Sequence, residues 1–372
     1  MIEINEQPQR LPAAEWNALA GDNPFLRHEF LAALHETGCA SARTGWRPLY
    51  LALRENGRLA GAMPLYLKSH SYGEYVFDWA WADAYQRHAL AYYPKLLCAV
   101  PFTPATGPRV LADRAEIRRR LVGAALELAR ESHLSSLHIL YPDGGEAREL
   151  ESAGLMLRHG VQFHWDNAGY ADFEHYLASM SSAKRKKIRQ ERRRVADAGL
   201  RFEWKTGRDA TAEDWAFFFR CYTLTYRQHH STPYLTLAFF RRLAETMPDH
   251  VQLVLGWRGG ERIAAALDML GGGRLYGRYW GAVEYVPGLH FEACYYQGID
   301  YCIRHGLRRF EGGAQGEHKV ARGLLPARTW SAHWLAHPEF ADAIGDYLQR
   351  EAAAIDRYID ELSDSTPFKE PT

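Results

Sequence analysis

A mixed α/β fold made of two copies of one unit, closed by a C-terminal helix, is the architecture that this 372-residue chain predicts. Three observations lead there. A β-hairpin pattern occurs twice, a helix-then-strand pattern follows each hairpin, and an apolar helical stripe ends the chain. Residues 49–67 read LYLALRENGRLAGAMPLYL and residues 251–270 read VQLVLGWRGGERIAAALDML, in each case two apolar runs around a short polar turn. Both are hairpin signals. Aligning Arg58-Leu59-Ala60 with Arg262-Ile263-Ala264 places the copies 204 residues apart.

Ile117, Leu121, Val122, Ala125 and Leu128 share one helical face, and a strand opens near Leu134. Phe291, Tyr295, Ile299, Cys302 and Ile303 repeat that face, with a strand opening near Leu307, an offset of 173. The two offsets differ by about thirty residues, which the aromatic stretch 70–95 supplies as an insertion in the first copy. Between the units, 158–172 reads as a strand leaving the first copy. A helix, a basic stretch, a strand at 200–205 and helices at 212–226 and 235–247 follow, then the second hairpin and a strand at 274–281. The expected organisation is 1–162 for the first unit with its insertion 70–95, and 163–345 for the second with a basic helix at 181–198. Residues 346–372 are expected to form a C-terminal helix and a disordered tail. Phe340, Ile344, Leu348, Ile355 and Ile359 make the terminal stripe, and SDSTPFKEPT is the tail.

Composition excludes a disordered tail protein, a collagen and a disulfide scaffold: 47% of residues are hydrophobic and 24% charged, with 45 basic against 45 acidic. The longest apolar runs fall well short of a membrane span of about 20 residues. The polar start MIEINEQPQR predicts a soluble, cytoplasmic protein with no integral membrane segment. Five cysteines (Cys39, Cys98, Cys221, Cys294, Cys302) match neither a metal nor a disulfide framework. The histidines His229, His230, His333 and His337 lack a third ligand nearby, so no metal site is expected.

Residues 184–194, KRKKIRQERRR, hold eight basic residues in eleven. Phe173, Leu177, Ile188 and Val195 give this region a narrow apolar stripe, and Gly199 stops the helix. Like charges three and four apart destabilise a helix by about 0.2–0.5 kcal/mol per pair. A polyanion such as tRNA would relieve that repulsion and release counterions. A solvated helix face is the alternative. Lys184, Arg185, Lys186, Lys187, Arg189, Arg192 and Arg193, with Lys319, are the candidate donor-phosphate or tRNA ligands.

The densest collection of polar and aromatic groups lies at 275–325. Arg278, Tyr279 and Trp280 sit on a strand, and His290 and Glu292 fall at the next helix start, where the macrodipole favours a carboxylate. Glu311 ends the following strand, ahead of Gly312-Gly313-Ala314-Gln315-Gly316-Glu317-His318-Lys319, whose glycines permit close backbone approach. In the first half, Asp78, Trp79, Trp81, Asp83 and Tyr85 interleave carboxylates with rings. They either line a cleft for an amine or sugar, or form a loop tucked onto the sheet.

At these residues the chain resembles the FemAB-like branch of the GNAT superfamily, over about 15–345. The resemblance rests on the paired hairpin–helix–strand units, the basic helix, the stretch GRYWG…LHFEACYYQGIDYCIRHGLRRFEGGAQGEHK, and the segments YGEYVFDWAWADAY and PFTPATGPR. It implies two tandem GNAT-like acyltransferase units and transfer of an acyl or aminoacyl group to an amine, with aminoacyl-tRNA as donor and a cell-wall peptide precursor as acceptor. One departure stands out. Acyl-CoA-dependent GNAT members hold pyrophosphate on Gln/Arg-x-x-Gly-x-Gly/Ala at the strand-to-helix junction. Here Arg278-x-x-Gly281 is followed by Val283, and the junctions read VPGLHFE and TPATGPR, whose prolines lack N–H donors. The expectation is therefore no tightly bound cofactor and a tRNA-borne donor rather than coenzyme A. Glu292 or Glu311 would remove the amine proton, and Arg278 or a glycine N–H would meet the oxyanion. Tyr279, Trp280, His290, Gln315 and His318 join Asp78, Trp79, Trp81, Asp83 and Tyr85 as substrate-binding candidates. The rival readings are an acyl-CoA-dependent N-acetyltransferase, a non-catalytic muropeptide- or peptide-binding module, and a nucleic-acid-binding protein.

Overall fold

The computed structural model describes residues 1–314 and 316–369, so Gln315, one of the substrate-binding candidates, lies outside the described residues. Two compact units emerge. The first comprises Met1–Gly160 and Arg328–Arg357; the second comprises Val161–Ala327 and the chain from Tyr358 onward.

The first unit runs β1 (Ile2–Asn5), α1 (Ala13–Ala20), α2 (His28–Glu36), β2 (Trp46–Pro48), β3 (Tyr50–Glu55), β4 (Arg58–Met63), β5 (Leu65–Lys68), α3 (Trp79–Arg87), β6 (Lys95–Cys98), α4 (Ala115–Glu131), β7 (Ser136–Leu140) and α5 (Gly144–Ser152). Strand β8 (Met156–Asp166) carries the chain into the second unit. There follow α6 (Phe173–Ala178), α7 (Ser182–Asp197), β9 (Leu200–Thr206), α8 (Ala212–Gln228), α9 (Leu237–Thr246), β10 (Val251–Arg258), β11 (Glu261–Gly271) and β12 (Arg274–Ala282). A continuous helical stretch comes next, α10 (Leu289–Phe291), a π turn (Glu292–Tyr296) and α11 (Gln297–Arg304), before β13 (Arg309–Glu311). Strand β14 (Leu325–Leu335) returns to the first unit, and α12 (Pro338–Asp364) ends the regular structure.

The doubling is visible in the strand pairing. In the second unit β9, β10, β11 and β12 form an antiparallel meander; β13 then pairs in parallel with β12, and β8 in antiparallel with β13. In the first unit β1, β3 and β4 form the meander, Pro64 separates β4 from β5, and β6, β7 and β14 continue with the same antiparallel, parallel, antiparallel sequence. Helices α4 and α10–α11 are the matching crossovers, as a parallel pair requires. Both hairpin turns are two-residue turns with positive φ at each central position, Asn56-Gly57 and Gly259-Gly260. Their pairs Glu55↔Arg58 and Arg258↔Glu261 make the hairpin offset 203, one residue less than the sequence alignment suggests. The helix–strand offset of 173 agrees with the equivalent turn bonds Leu134 N–H to Ala129 O and Leu307 N–H to Cys302 O.

Apolar spacing explains the packing. On α4, Ile117, Leu121, Val122 and Ala125 are buried against Leu51, Met63, Leu96 and Leu137. On the second unit's crossover, Tyr295, Ile299, Cys302 and Ile303 are buried against Leu275 and Phe310. Each fully buried side chain of this size contributes about 1.5–3 kcal/mol.

Two expectations need correction. The second unit is not the contiguous stretch 163–345: residues 328–357 belong to the first unit, because β14 completes that unit's sheet while β8 completes the second's. The tail is not free either. Pro367 is buried and Phe368 half-buried; Phe368 forms a β-bridge with Met180, Ser181 N–H bonds to Pro367 O at 2.9 Å, and Lys369 N–H bonds to Ser179 O at 3.0 Å. One Pro-Phe pair in a polar decapeptide is enough when a matching apolar site exists. All five cysteines are free, and no helix among the described residues is long and apolar enough to cross a membrane.

Gly281 fixes how closely α8 sits on β12: a Cβ there would lie 2.2 Å from Cys221 O and 2.6 Å from its carbonyl carbon. Backbone cannot step aside as a flexible side chain can, so Gly281→Ala should destabilise by about 1–3 kcal/mol. Urea denaturation would show a lower midpoint with an unchanged slope.

Candidate active site

Strands β12 and β13 pair over three residues only, Arg274–Tyr276 against Arg309–Glu311. Beyond that point they part. Strand β13 ends and Gly312 turns to bond Phe163 O, while β12 continues to Ala282. The gap is a cavity of about 120 Å³ lined by Asp268, Gly277, Arg278, Tyr279, Trp280, His290, Cys294, Tyr295, Phe310 and Gly312. The β11–β12 register shifts between Leu267↔Tyr279 and Asp268↔Gly277, which leaves Arg278 as the extra, bulged residue at the cavity wall.

Asp268 is the exceptional group here. It is 4% exposed, no donor among the described residues reaches its carboxyl, and burial alone pushes its pKa up to about 8. Lys319 is buried nearby, its Nζ donating to Gly312 O at 2.6 Å and to Gly313 O at 3.3 Å, and desolvation brings it down to about 8. Burial, with the neighbouring charges of His318, Lys319 and Arg322, lowers His290 to about 4, so its imidazole is neutral at pH 7. The His290 ring lies 4.6 Å from that of Trp280, and this pair also borders a second cavity of about 370 Å³. Thr225, Gln228, Glu284, Tyr285, Leu289 and Phe291 line that second space.

Of the predicted residues, Arg278, Tyr279, Trp280 and His290 meet at the first cavity. His318 stands beside it, its ring 5.4 Å from Phe291 and its Nε2 3.4 Å from the Tyr295 hydroxyl. The two carboxylates expected to act as bases are engaged elsewhere. Glu292 accepts from Arg192 Nη2 at 3.1 Å and from Gln297 Nε2 at 2.8 Å. Glu311 is held by Arg274 Nη1 at 2.8 Å, and its Oε2 lies 3.8 Å from His164 Nε2. Asp268 is not among the predicted residues. Its signal is a lone carboxylate inside the apolar run 263–270.

The basic helix is α7. Its apolar side is anchored by Ile188 and Val195, both about 1% exposed. Glu191 receives Arg322 Nη2 at 2.8 Å and the Tyr296 hydroxyl, and Arg192 binds Glu292, so three side-chain ties fasten α7 to the cavity-walling helix and the segment Glu317–Arg322. Arg189 pairs with Glu174. Lys184, Arg185, Lys186, Lys187, Arg193 and Arg194 have no acidic partner among the described residues. The first turn of α7 contains no acidic residue. Four cations at 184–187 therefore sit toward the positive end of the helix dipole, where cations are disfavoured and anions welcomed.

In the first unit the interleaved aromatic stretch separates into three environments. Asp78 is buried on Lys95, which also holds Glu74 at 2.9 Å; burial opposes the ionisation of Asp78, but Lys95 overcomes it and keeps the carboxyl well below its usual range. Trp81 and Tyr85 pack into an apolar cluster with Tyr92, Ile344 and Leu348. Asp83 pairs with Arg87 on the surface, and Trp79, 40% exposed, lies 5.0 Å from the Tyr72 ring. Trp79, Trp81, Asp83 and Tyr85 all lie on helix α3, with Asp78 at its N-cap, so the stretch is a packed helix rather than a loop.

Solved structures with the same fold include FemX (TM-score 0.56, 12% identity, covering 90% of this chain and 99% of that one). L-PGS from Bacillus licheniformis is similar at TM-score 0.58 and 11% identity, covering 93% and 99%. The C-terminal domain (DUF2156) of an Agrobacterium fabrum protein assigned as a lysylphosphatidylglycerol synthetase matches at TM-score 0.56 and 12% identity, covering 90% and 95%. No curated protein matches the chain by sequence. The family model described as peptidoglycan biosynthesis/recognition matches residues 7–370, nearly the whole length, so the chain belongs to the FemAB-like family.

Proposed function

We propose that the protein is an N-acyltransferase that moves an acyl or aminoacyl group from a tRNA ester to the amine of a peptide or cell-wall precursor, with the reaction in the second unit's cavity. The observation that carries this reading is Asp268, a buried carboxyl without a partner among the described residues, in a cavity lined by Arg278 and His290. Family membership supports the transferase class and a cell-wall acceptor.

The chemistry asks little of such a site, because an ester donor is already activated. The acceptor nitrogen attacks the ester carbon, and the Asp268 carboxylate takes the proton that the nitrogen releases. Arg278 stands at the same cavity to meet the developing oxyanion. When the intermediate collapses, the C–O bond breaks and the proton passes from Asp268 to the departing ribose oxygen. Amide and free tRNA are the products. A pKa near working pH suits a group that must accept and return a proton in one turnover. Lys319, held on the Gly312 and Gly313 carbonyls, strengthens the positive field beside the cavity.

The six α7 cations without an acidic partner among the described residues support tRNA as donor. The junction after β12 favours it over coenzyme A: Pro287 has no N–H, the N–H of Leu289 bonds Val286 O, and the N–H of Glu292 bonds Gly288 O.

Asp268→Asn should lower kcat by about 10²–10⁴-fold while leaving donor affinity intact, and should remove the rise in kcat through about pH 8; full activity in that variant would end the assignment. Replacing Lys186, Lys187, Arg193 and Arg194 with Ala should weaken binding of charged tRNA and flatten its dependence on log[salt], by about 0.7–0.9 for each phosphate no longer neutralised. Calorimetric binding of acetyl-CoA with micromolar affinity would instead support the coenzyme A donor. Stability also reports on Asp268. Its folded pKa of about 8 exceeds the ordinary 3.8, so the folded chain holds a proton that the unfolded chain has lost between those values. Wild-type stability relative to Asp268→Asn should therefore be greatest below about pH 4, fall as pH rises toward 8, and level off above it.

A further inference from the structure

A buried carboxyl with no donor among the described residues is costly whichever way it is protonated, and its cross-strand neighbour is a second group in the same condition. Gln252 on β10 is the register partner of Asp268 on β11, with Leu253↔Leu267 and Val251↔Met269 on either side. Directly opposed residues of an antiparallel pair project from the same face with Cβ atoms about 4.5–5.5 Å apart. Gln252 is 1% exposed, and neither its Oε1 nor its Nε2 has a hydrogen-bond partner among the described residues. Its other register neighbour, Thr206, is already committed: the Thr206 hydroxyl donates to Asp209 at 2.6 Å. Buried side-chain amides are nearly always satisfied, so two idle polar groups side by side on one face of the sheet call for an explanation.

We propose that Gln252 is the positioning residue for Asp268, following the carboxyl through its proton cycle. A carboxamide suits this task because it offers both kinds of partner. Its Oε1 accepts from the protonated carboxyl, and its Nε2 donates to the carboxylate, after a rotamer change or through one bridging water. The other titratable groups around Asp268 do not perform this exchange. Burial raises the Cys294, Tyr301 and Cys302 side chains above their ordinary values and keeps them neutral, so none balances a carboxylate charge. Arg278 and His290 line the cavity that Asp268 also lines, where the substrates arrive. Gln252 approaches from within the sheet, the side away from the reacting atoms, and so tunes Asp268 without touching substrate.

The inference rests on the base role of Asp268, and the test separates the two. The protein is labelled with aspartate carrying a ¹³C carboxyl, the Asp268 signal is assigned by its loss in Asp268→Asn, and its titration is followed in wild type, Gln252→Met and Gln252→Leu. Either substitution supplies an apolar side chain of similar size, so two folded variants are available to compare. The expected result is an Asp268 midpoint at least one pH unit higher in the variants, a tenfold rise in proton affinity, with the kcat midpoint moving by the same amount and the donor KM unchanged. An Asp268 midpoint that does not move overturns the proposal. A carboxyl midpoint that moves while the kcat profile stays put upholds the Gln252–Asp268 coupling and rejects Asp268 as the catalytic base.

Discussion

Everything in the second unit turns on keeping one carboxyl out of water without giving it a counter-ion among the described residues. Protein interiors normally avoid this, since an isolated buried charge shifts its pKa until it is neutral. Asp268 does so, and the resulting proton is loosely enough held to be useful near neutral pH. The arrangement depends on backbone. Strands β12 and β13 stay together for three residues and then separate, and the separation leaves a space that Asp268, Arg278 and His290 share. Glycines at 277 and 312 keep the surrounding walls thin; a Cβ at Gly312 would lie 2.4 Å from Leu324 Cδ2.

The two copies of the unit show how a common frame diverges. In the second, Glu311 on β13 faces His164 of β8 with Arg274 alongside. In the first, His138 on β7 faces His333 of β14, the two Nδ1 atoms 2.7 Å apart, with Lys95 nearby on Asp78. The exchanged strands even share a His-Trp pair, 164–165 and 333–334. Past this shared layer the copies part. The first is filled by its insertion, whose Glu74 and Asp78 meet Lys95 and whose Trp81 and Tyr85 pack as core. The second remains open.

What the residues reveal on their own follows the range of the forces involved. The hairpins are legible because Asn56-Gly57 and Gly259-Gly260 encode their turns locally, and the crossover helices because burial leaves a periodic stripe. The insertion at 70–95 is legible from the mismatch of two offsets. Strand exchange is not, because hydrogen bonding between β8 and β13 joins residues more than 140 positions apart and leaves only the repeated His-Trp as a trace. Glu292 and Glu311 look available because nothing beside them in the chain names Arg192 or Arg274 as partners. Asp268 looks ordinary for the converse reason: a carboxylate is conspicuous only once its surroundings are known to hold no donor.

The sharpest test of this mechanism is a crystal structure with a non-hydrolysable aminoacyl-adenosine amide bound. The acyl carbon is expected between β12 and β13, with the Asp268 carboxyl within hydrogen-bond reach of the space beside it and the 5′ end of the adenosine, where the tRNA phosphates would continue, leading toward α7. An acyl group seated in the first unit, or an Asp268 carboxylate ion-paired with a protein cation, would contradict it.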